Sequence, residues 1–571
     1  MAILGPTNPP RLPIGHSDYA EVRRQGLTYV DKTRWIARVL DDAAKVILVP
    51  RPRRFGKTLN MTTLRAFVER STEDRTDLFA DTEVWTLDGG RWREHYQRYP
   101  VIYLTFKDAK GATWEATALK LRRLLSEAMR RCERSLGELR TPSSDDMQAA
   151  QLTQESTPIG VFEDMLWVAT KLMHRCTGQP AIVLIDEYDS PLHAAWEHGY
   201  WDEAVSFFRG FLTTGLKDNP HLHKGVLTGI LRVAKEGIFS GLNHVQTASV
   251  LSERLADSFG FTEGEVTGLI EAAGPGHDGA ALRRWYNGYR FGLPSPTVIY
   301  NPWSVLSYLA EPGAGPRPFW KNTSDNALIR DTLRRHAASV GPDIQTLLAG
   351  GTVERRIDES VAITELATNV DAVWGLLLFA GYLTTTGSRA TDDGVFVQLC
   401  IPNLEIRSVF RDTFGSWLSV SEQAAGRGSI SRLVSALLDG DPDTAEELLS
   451  ALLVAMLSHH DLGGDRAEAV YQAFVVGLLV QLEPTHRVTS NREAGYGRAD
   501  VLITPRTPGP GAVLEFKRIT PRETAETALD KAVAQLRDRD YAAEVRAAGA
   551  TSVHSYGVVF DGKRCWVREV G

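Results

Sequence analysis

The sequence predicts an α/β fold with a parallel sheet, followed by a second α/β unit near the C-terminus. Three observations carry this. Lys45–Val49 (KVILV) is a short, β-branched apolar run; it leads through PRPRRF into Gly56, Lys57 and Thr58 and then into helical apolar spacing at Leu59, Leu64, Phe67 and Val68. Ala181–Ile185 (AIVLI) is a second buried-strand run, closed by Asp186 and Glu187. Ala499–Ile503 and Ala512–Phe516 are strand-like and flank the turn-rich stretch TPRTPGPG, Thr504–Gly511.

Strand, loop, GKT and helix follow one another in the order a phosphate loop requires. A helix N-terminus directs unpaired N–H groups at phosphate oxygens. Lys57 would reach the β- and γ-phosphates, and the Thr58 hydroxyl would ligate Mg²⁺. Gly56 and Arg54 belong to the same loop as nucleotide contacts. Arg51 stands where GxxxxGK[ST] has its first glycine, and Pro52 removes one backbone donor. Taken alone, GKT is also explained by a helix start with a chance lysine.

The acidic strand end shifts that balance towards an ATPase core. Ligands in open α/β sheets bind just outside the carboxyl ends of the strands. There Asp186 can hold Mg²⁺ and Glu187 can polarise an attacking water, against the alternative of a solvated strand end. Val101–Phe106 and Gly225–Leu231 extend the sheet. Thr228 in the latter either senses the γ-phosphate or makes an internal hydrogen bond. Arg232 reads as a surface arginine before a charge stabiliser. Arg51, Arg53 and Arg54 line either the nucleotide phosphates or the surface.

In the C-terminal hairpin, with its eight-residue connection, Glu515 and Lys517 are two apart and leave the same strand face. Leu514 and Phe516 take the opposite face. Folding the hairpin near its centre brings Asp500 on the partner strand next to Glu515. Two carboxylates brought together are costly unless a cation compensates. Mg²⁺, with its preference for oxygen ligands, suits the pair, and Lys517 would orient a water or stabilise developing charge. The alternative is a charged edge hairpin with an ordinary salt bridge. A helix over Ala467–Leu482 precedes the hairpin; Glu468 near its start is either a further metal contact or a helix-start glutamate. A helix over Glu523–Val545 follows, with Gln535 and Tyr541 in its second half, each either touching the site or packing. His459 and His460 with Asp461 read as a surface helix end.

Composition narrows the function. Lys plus Arg number 64 and Asp plus Glu 71, a net charge of −7 over 571 residues, so the chain is not a globally basic coat for nucleic acid. The composition is 43% hydrophobic and 24% charged, which excludes a mostly disordered or fibrous chain. Four separated cysteines form neither a metal-ligand spacing nor a disulfide scaffold. The apolar runs near Ala372–Leu383 and Tyr471–Leu482 are shorter than the roughly 18 residues a membrane span needs. The N-terminus does not read as a signal peptide. A cytoplasmic protein without membrane contact is expected.

Asp500…Glu515-x-Lys517, with an acid on a helix ahead and a glutamine on a helix behind, resembles the PD-(D/E)XK nuclease superfamily. The rest of the chain resembles bacterial AAA-ATPase-like proteins that carry such a domain at their C-terminus. The strings that carry this are LPIGHSDYAEVRRQGLTYVDKT (12–33), RPRRFGKTL (51–59), LIDEYDSPL (184–192), TGILRVAKEGIFSGLNH (228–244), WYNGYRFG (285–292), YNPWSVL (300–306), FWKNTS (319–324), LLLFAGYLT (376–384) and IPNLEI (401–406). The RPRRFGK form of the loop is similar to that family's own.

The resemblance implies a P-loop NTPase sheet of the ASCE/AAA-like kind, a helical connector or lid, and a restriction-endonuclease-like α/β domain. The boundaries fall at residues 1–290, 291–460 (mainly helical) and 461–571. It implies Lys57 and Thr58 as nucleotide contacts, Asp186 and Glu187 as the Walker B pair, and Asp500, Glu515 and Lys517 as the nuclease core. Trp285, Tyr286 and Tyr289 are structural. The expected function is a Mg²⁺-dependent nuclease acting on DNA or RNA, with ATP binding or hydrolysis regulating it. The alternative is a nucleotide-switched protein that binds nucleic acid or a partner with little or no cleavage. ATP-driven movement along nucleic acid ranks last, for want of a long basic channel signature. A homo-oligomer is compatible with all three.

Overall fold

The computed structural model of the chain describes residues 3–5, 10–139, 143, 146–232, 245–320, 327–348, 350–360, 363–392, 394–411, 429–456, 475, 479, 485–494, 497–519, 523–562 and 564–570. The chain divides into two compact units, residues 1–332 with 354–406, and residues 333–353 with 407–571.

In the first unit five parallel strands form one sheet, in the order Val101–Thr105, Ala181–Asp186, Leu222–Gly229, Val46–Pro50 and Val245–Thr247. Every residue of Val46–Pro50 and of Ala181–Asp186 is buried. That is why these strands read as unbroken apolar runs rather than alternating ones. Ile47, Val49, Ile182, Leu184 and Val226 share one core cluster with Phe67 and Val68 of the helix after the loop. The Thr228 strand lies between the loop strand and the Asp186 strand, with Val49 opposite Thr228 and Ile185 opposite Leu227. The sheet therefore delivers the phosphate loop, Thr228 and Asp186 to one edge.

Several boundaries differ from expectation: the strands expected over Lys45–Val49, Ala181–Ile185 and Val101–Phe106 run Val46–Pro50, Ala181–Asp186 and Val101–Thr105. The helix begins at Lys57, because Gly56 is its cap. The strand expected over Gly225–Leu231 runs Leu222–Gly229. Ile230 and Leu231 leave the sheet because both donate their N–H to the Asp189 carboxylate, at 2.7 and 3.0 Å.

The stretch read as mainly helical contains the helices Pro302–Ala310 and Val370–Phe379. It also contains an antiparallel hairpin of Thr384–Thr391 with Gly394–Cys400, bulged between Thr385 and Gly387. The β-branched content of TTTGSRAT and GVFVQLC explains these strands.

The second unit holds a mixed five-stranded sheet in the order His486–Ala494, Gly497–Pro505, Gly509–Arg518, Ala550–Asp561, Arg564–Glu569. Its third and fourth strands are parallel, and its other pairs are antiparallel. Val501, Ile503, Leu514 and Phe516 pack on one face with the helices Ser429–Asp439 and Pro442–Met456. Ala499, Leu502 and Val513 pack on the other with Leu536, Tyr541 and Val545.

The hairpin connection is 506–508, shorter than the expected Thr504–Gly511, because outer neighbours extend both strands: Pro505 lies opposite His486 and Gly509 opposite Ala550. The helix expected over Glu523–Val545 is two, Ala525–Arg539 and Ala542–Ala547, broken where Asp540 takes a left-handed φ of 41°. Of the helix expected over Ala467–Leu482, only Val475 and Leu479 are described, both helical and fully buried. Glu468, His459, His460 and Asp461 lie outside the described residues.

Candidate functional site

The phosphate loop is held by its flanks. Arg51, expected among phosphates or at the surface, is at neither: it is fully buried, and its guanidinium donates to the carbonyls of Pro50 (2.9 Å), Ala248 (2.6 Å) and Leu255 (3.0 Å). It also lies 5.3 Å from the ring centroids of Phe259 and Phe291. Burial pushes its pKa down to about 9. Pro52 abuts Gly381, where an added Cβ would stand 2.7 Å from the proline Cβ. Phe55 packs edge-on to Tyr289 at 4.9 Å. Gly56, at φ 82°, supplies the left-handed turn into the helix. These contacts shape a loop that has one glycine fewer than the general pattern.

Lys57 is buried, and its ammonium donates to the carbonyls of Arg51 and Pro52, each at 3.0 Å. Burial pulls its pKa down, against the opposing charges of Glu187, Asp186 and Asp189. The Thr58 hydroxyl donates to Asp186 Oδ2 at 2.6 Å, and the Thr228 hydroxyl donates to Asp186 Oδ1. Thr228 thus makes the internal hydrogen bond, and makes it to the buried Asp186 carboxylate. Glu187 takes a left-handed φ of 52°, a conformation that costs a non-glycine residue about 1–3 kcal/mol. Burial raises its pKa, while Lys57 pulls it down.

A cavity of about 650 Å³ opens over these groups. Arg53, Arg54, Lys57, Lys107 and Lys110 bring positive charge to its wall, and Asp186, Glu187 and Asp189 bring negative charge. Cations, the N-terminus of a helix and a hydroxyl joined to a buried carboxylate suit a nucleotide triphosphate with Mg²⁺. Lys107, Lys110, His193 and Trp303 also line it and escaped the sequence reading. Of these four, only Trp303, in YNPWSVL, lies in one of the strings quoted above.

In the second unit the register sets Val501 opposite Leu514, so that Asp500 follows beside Glu515. Asp500 Oδ2 accepts the Phe516 N–H at 2.8 Å. Lys517 Nζ donates to Glu515 Oε1 at 2.7 Å and to the Phe516 carbonyl at 3.0 Å. Glu515 is almost wholly buried. Burial raises the Asp500 pKa, opposed by the Phe516 N–H, the Lys517 charge and a hydrogen bond with Glu515. The two carboxyls and the ammonium therefore converge. An oxygen-only donor pair, partly desolvated and of one sign, fits a hard divalent cation. Gln535 donates to the Tyr541 hydroxyl at 3.2 Å, and Tyr541 is buried in the core, so those two pack against each other. Among the described residues no three His, Cys, Asp or Glu cluster as a metal site.

Residues 13–239 match the family described as "Predicted AAA-ATPase", and residues 466–570 match the PD-(D/E)XK nuclease superfamily. The chain joins an AAA-ATPase-like domain to a PD-(D/E)XK nuclease superfamily domain. The phosphate loop and the Asp186 strand fall within the ATPase-like match, and Asp500, Glu515 and Lys517 within the nuclease-superfamily match. An uncharacterized protein from the vnfD 5' region of Azotobacter chroococcum mcd 1 is 25% identical over 562 residues, covering 96% of each chain. That similarity extends through most of the stretch between the two matched segments. No solved structure matches the chain. Among the described residues no helix is long and apolar enough to cross a membrane.

Proposed function

We propose that the protein is a Mg²⁺-dependent nuclease acting on DNA or RNA phosphodiesters, regulated by the ATP-binding and hydrolysing module in the same chain. The observation that carries this reading is the convergence of Asp500, Glu515 and Lys517 on adjoining strands. Asp500 and Glu515 would hold a divalent cation, with Glu468 as a further candidate ligand. When bound, the cation supplies Lewis-acid stabilisation of the phosphoryl oxygens. The Phe516 N–H fixes one oxygen of Asp500. Lys517 neutralises Glu515 and stands ready to stabilise charge that develops on phosphorus-bound oxygen.

In the other domain Gly56, Lys57, Thr58 and Arg54 would bind the phosphates. Asp186 positions the cation-binding hydroxyl of Thr58, and Glu187 orients and deprotonates water. In this reading residues 1–290 are the ATPase-like domain, 291–460 a lid or connector and 461–571 the nuclease-like domain, in a cytoplasmic protein.

The decisive experiment incubates labelled DNA and RNA with purified protein in Mg²⁺ or Mn²⁺, with and without ATP. Metal-dependent cutting absent from Glu515→Ala is the expected result; identical behaviour of the two proteins across all substrates would end the nuclease assignment. The closed Lys517–Glu515 pair favours a second reading, in which the C-terminal domain grips nucleic acid without cutting and ATP acts as a switch. That reading requires ATP binding with negligible turnover, and phosphate release that vanishes in Lys57→Ala would count against it.

A further inference from the structure

Residues from six of the strings quoted above, spread between positions 51 and 406, meet in the first unit. They meet around the carboxyl of Glu405, which is fully buried. Ser304 donates its hydroxyl to that carboxyl at 2.8 Å, and Trp320 donates its backbone N–H at 3.0 Å. Two positions earlier, Asn403 donates its amide to the Asn287 carbonyl at 2.7 Å and accepts the Ile406 N–H at 3.0 Å. Asn403 therefore caps the helix 404–411, and Glu405 lies in the first turn of that helix.

Three residues of the phosphate loop each touch a neighbour of this joint. Pro52 abuts Gly381, and the next residue, Tyr382, packs edge-on to Trp320 at 5.0 Å. The Arg54 guanidinium stands 4.3 Å from the centroid of the Trp303 ring, and the next residue is Ser304. Trp303 and Ser304 share the first turn of the helix Pro302–Ala310, where the Asn301 side chain accepts both of their N–H groups, at 3.0 and 3.4 Å. Phe55 packs on Tyr289, which follows Asn287 and Gly288. Gly288, at φ 96°, lies so close to the Pro402 carbonyl that a Cβ there would overlap it. In each case no more than two positions along the chain separate the loop contact from a contact with the joint. Close-packed interiors pass such displacements on rather than absorb them. The first unit ends at Ile406, and the helix 404–411 carries the chain into the second unit at Arg407. Arg407 donates to the Leu348 carbonyl at 2.9 Å, within that second unit.

We infer that Glu405 is the positioning residue of the regulation proposed above: its carboxyl ties the supports of the phosphate loop to the start of the helix 404–411, so that a nucleotide on the loop sets the path by which the chain enters the second unit. The inference rests on the reading of an ATP-regulated nuclease and deepens it by naming the joint. A ligand moves an equilibrium only through contacts that differ between its two states. Arg54 offers such a contact, since a bound phosphate competes with the Trp303 ring for the same guanidinium.

The test reads the effect of ATP on cutting. Initial rates on labelled DNA and RNA oligonucleotides in Mg²⁺, with and without ATP, are measured for the full-length wild type, Glu405→Gln, Glu405→Ala and Ser304→Ala. Coupling between sites is worth about 5- to 150-fold, and Glu405→Ala and Ser304→Ala should bring the ratio of the two rates to within about 2-fold of one. Glu405→Gln keeps an oxygen for the Trp320 N–H and a partner for Ser304, and should keep the wild-type ratio. The rate without ATP should be unchanged in all three. A role in stability alone would lower both rates together and leave their ratio. Should Glu405→Ala fail to fold, Ser304→Ala makes the same comparison from the other side of the hydrogen bond. An alanine variant that folds and keeps the wild-type ratio, or a Glu405→Gln variant that loses it, would overturn the joint and leave the regulation standing. A wild type that cuts equally with and without ATP would overturn the regulation itself, one that cuts neither substrate would overturn the nuclease reading, and either result would take the joint with it.

Discussion

Replacing Glu405 by glutamine should stabilise the protein at mildly alkaline pH and change little at acidic pH. Glu405 is fully buried. Its two carboxylate oxygens lie 2.9 and 2.8 Å from the Ser304 hydroxyl, and one of them accepts the Trp320 N–H at 3.0 Å. These donors are neutral. Burial, opposed only by such hydrogen bonds, pushes the pKa from 4.5 up to about 7. A folded-state value above the unfolded one means that the stability tied to this group is fully present below about 4.5 and is lost as pH rises through about 7. That interval, at about 1.4 kcal/mol per pH unit, amounts to roughly 3 kcal/mol. Glutamine keeps an oxygen for the Trp320 N–H, and its amide donates to Ser304 instead. Urea unfolding of both proteins should show a stability gap that widens by about 2–3 kcal/mol between roughly pH 5 and pH 8. All other titrations cancel in the difference. Curves that stay parallel within about 0.5 kcal/mol would refute the reasoning.

Thr228→Val preserves shape and removes one hydroxyl from the buried Asp186 carboxylate. It should cost about 1.5–3 kcal/mol in urea unfolding, and in a double-mutant cycle it should couple with Asp186→Asn. Gly381→Ala puts a methyl 2.7 Å from Pro52 at a residue with φ 86°; it should destabilise by about 1–3 kcal/mol and weaken ATP binding, though Gly381 is not among the residues that line the cavity. Lys517→Met removes the ammonium 2.7 Å from the buried Glu515 carboxylate. It should cost about 1–3 kcal/mol near neutral pH by thermal melting in a metal chelator, and millimolar Mn²⁺ should restore part of the loss. Equal melting with and without metal would argue against a cation at this pair.

The elements that read clearly in the sequence are those whose signal is local. KVILV and AIVLI are buried on both faces and show it as unbroken apolar runs. Asp500, Glu515 and Lys517 were legible because strand alternation and one antiparallel register suffice to bring them together. What the sequence concealed depends on contacts far along the chain. Nothing near Arg51 says that its guanidinium will reach the carbonyls of Ala248 and Leu255 rather than a phosphate. Nor does anything near Pro52 say that Gly381 will press on it.

The same distance separates Trp303 from Arg54, which meet at 4.3 Å. The shortfall in glycine at the start of the loop and the strings that recur hundreds of residues later are therefore one fact. A loop that lacks backbone freedom of its own must have its path imposed from outside, and Ala248, Leu255, Tyr289, Trp303 and Gly381 impose it. It follows that restoring a glycine at Arg51 would not return the loop to the general pattern. It would take from the Ala248 carbonyl its Arg51 donor, at about 1–3 kcal/mol, and leave the Leu255 carbonyl with the Ser258 N–H alone.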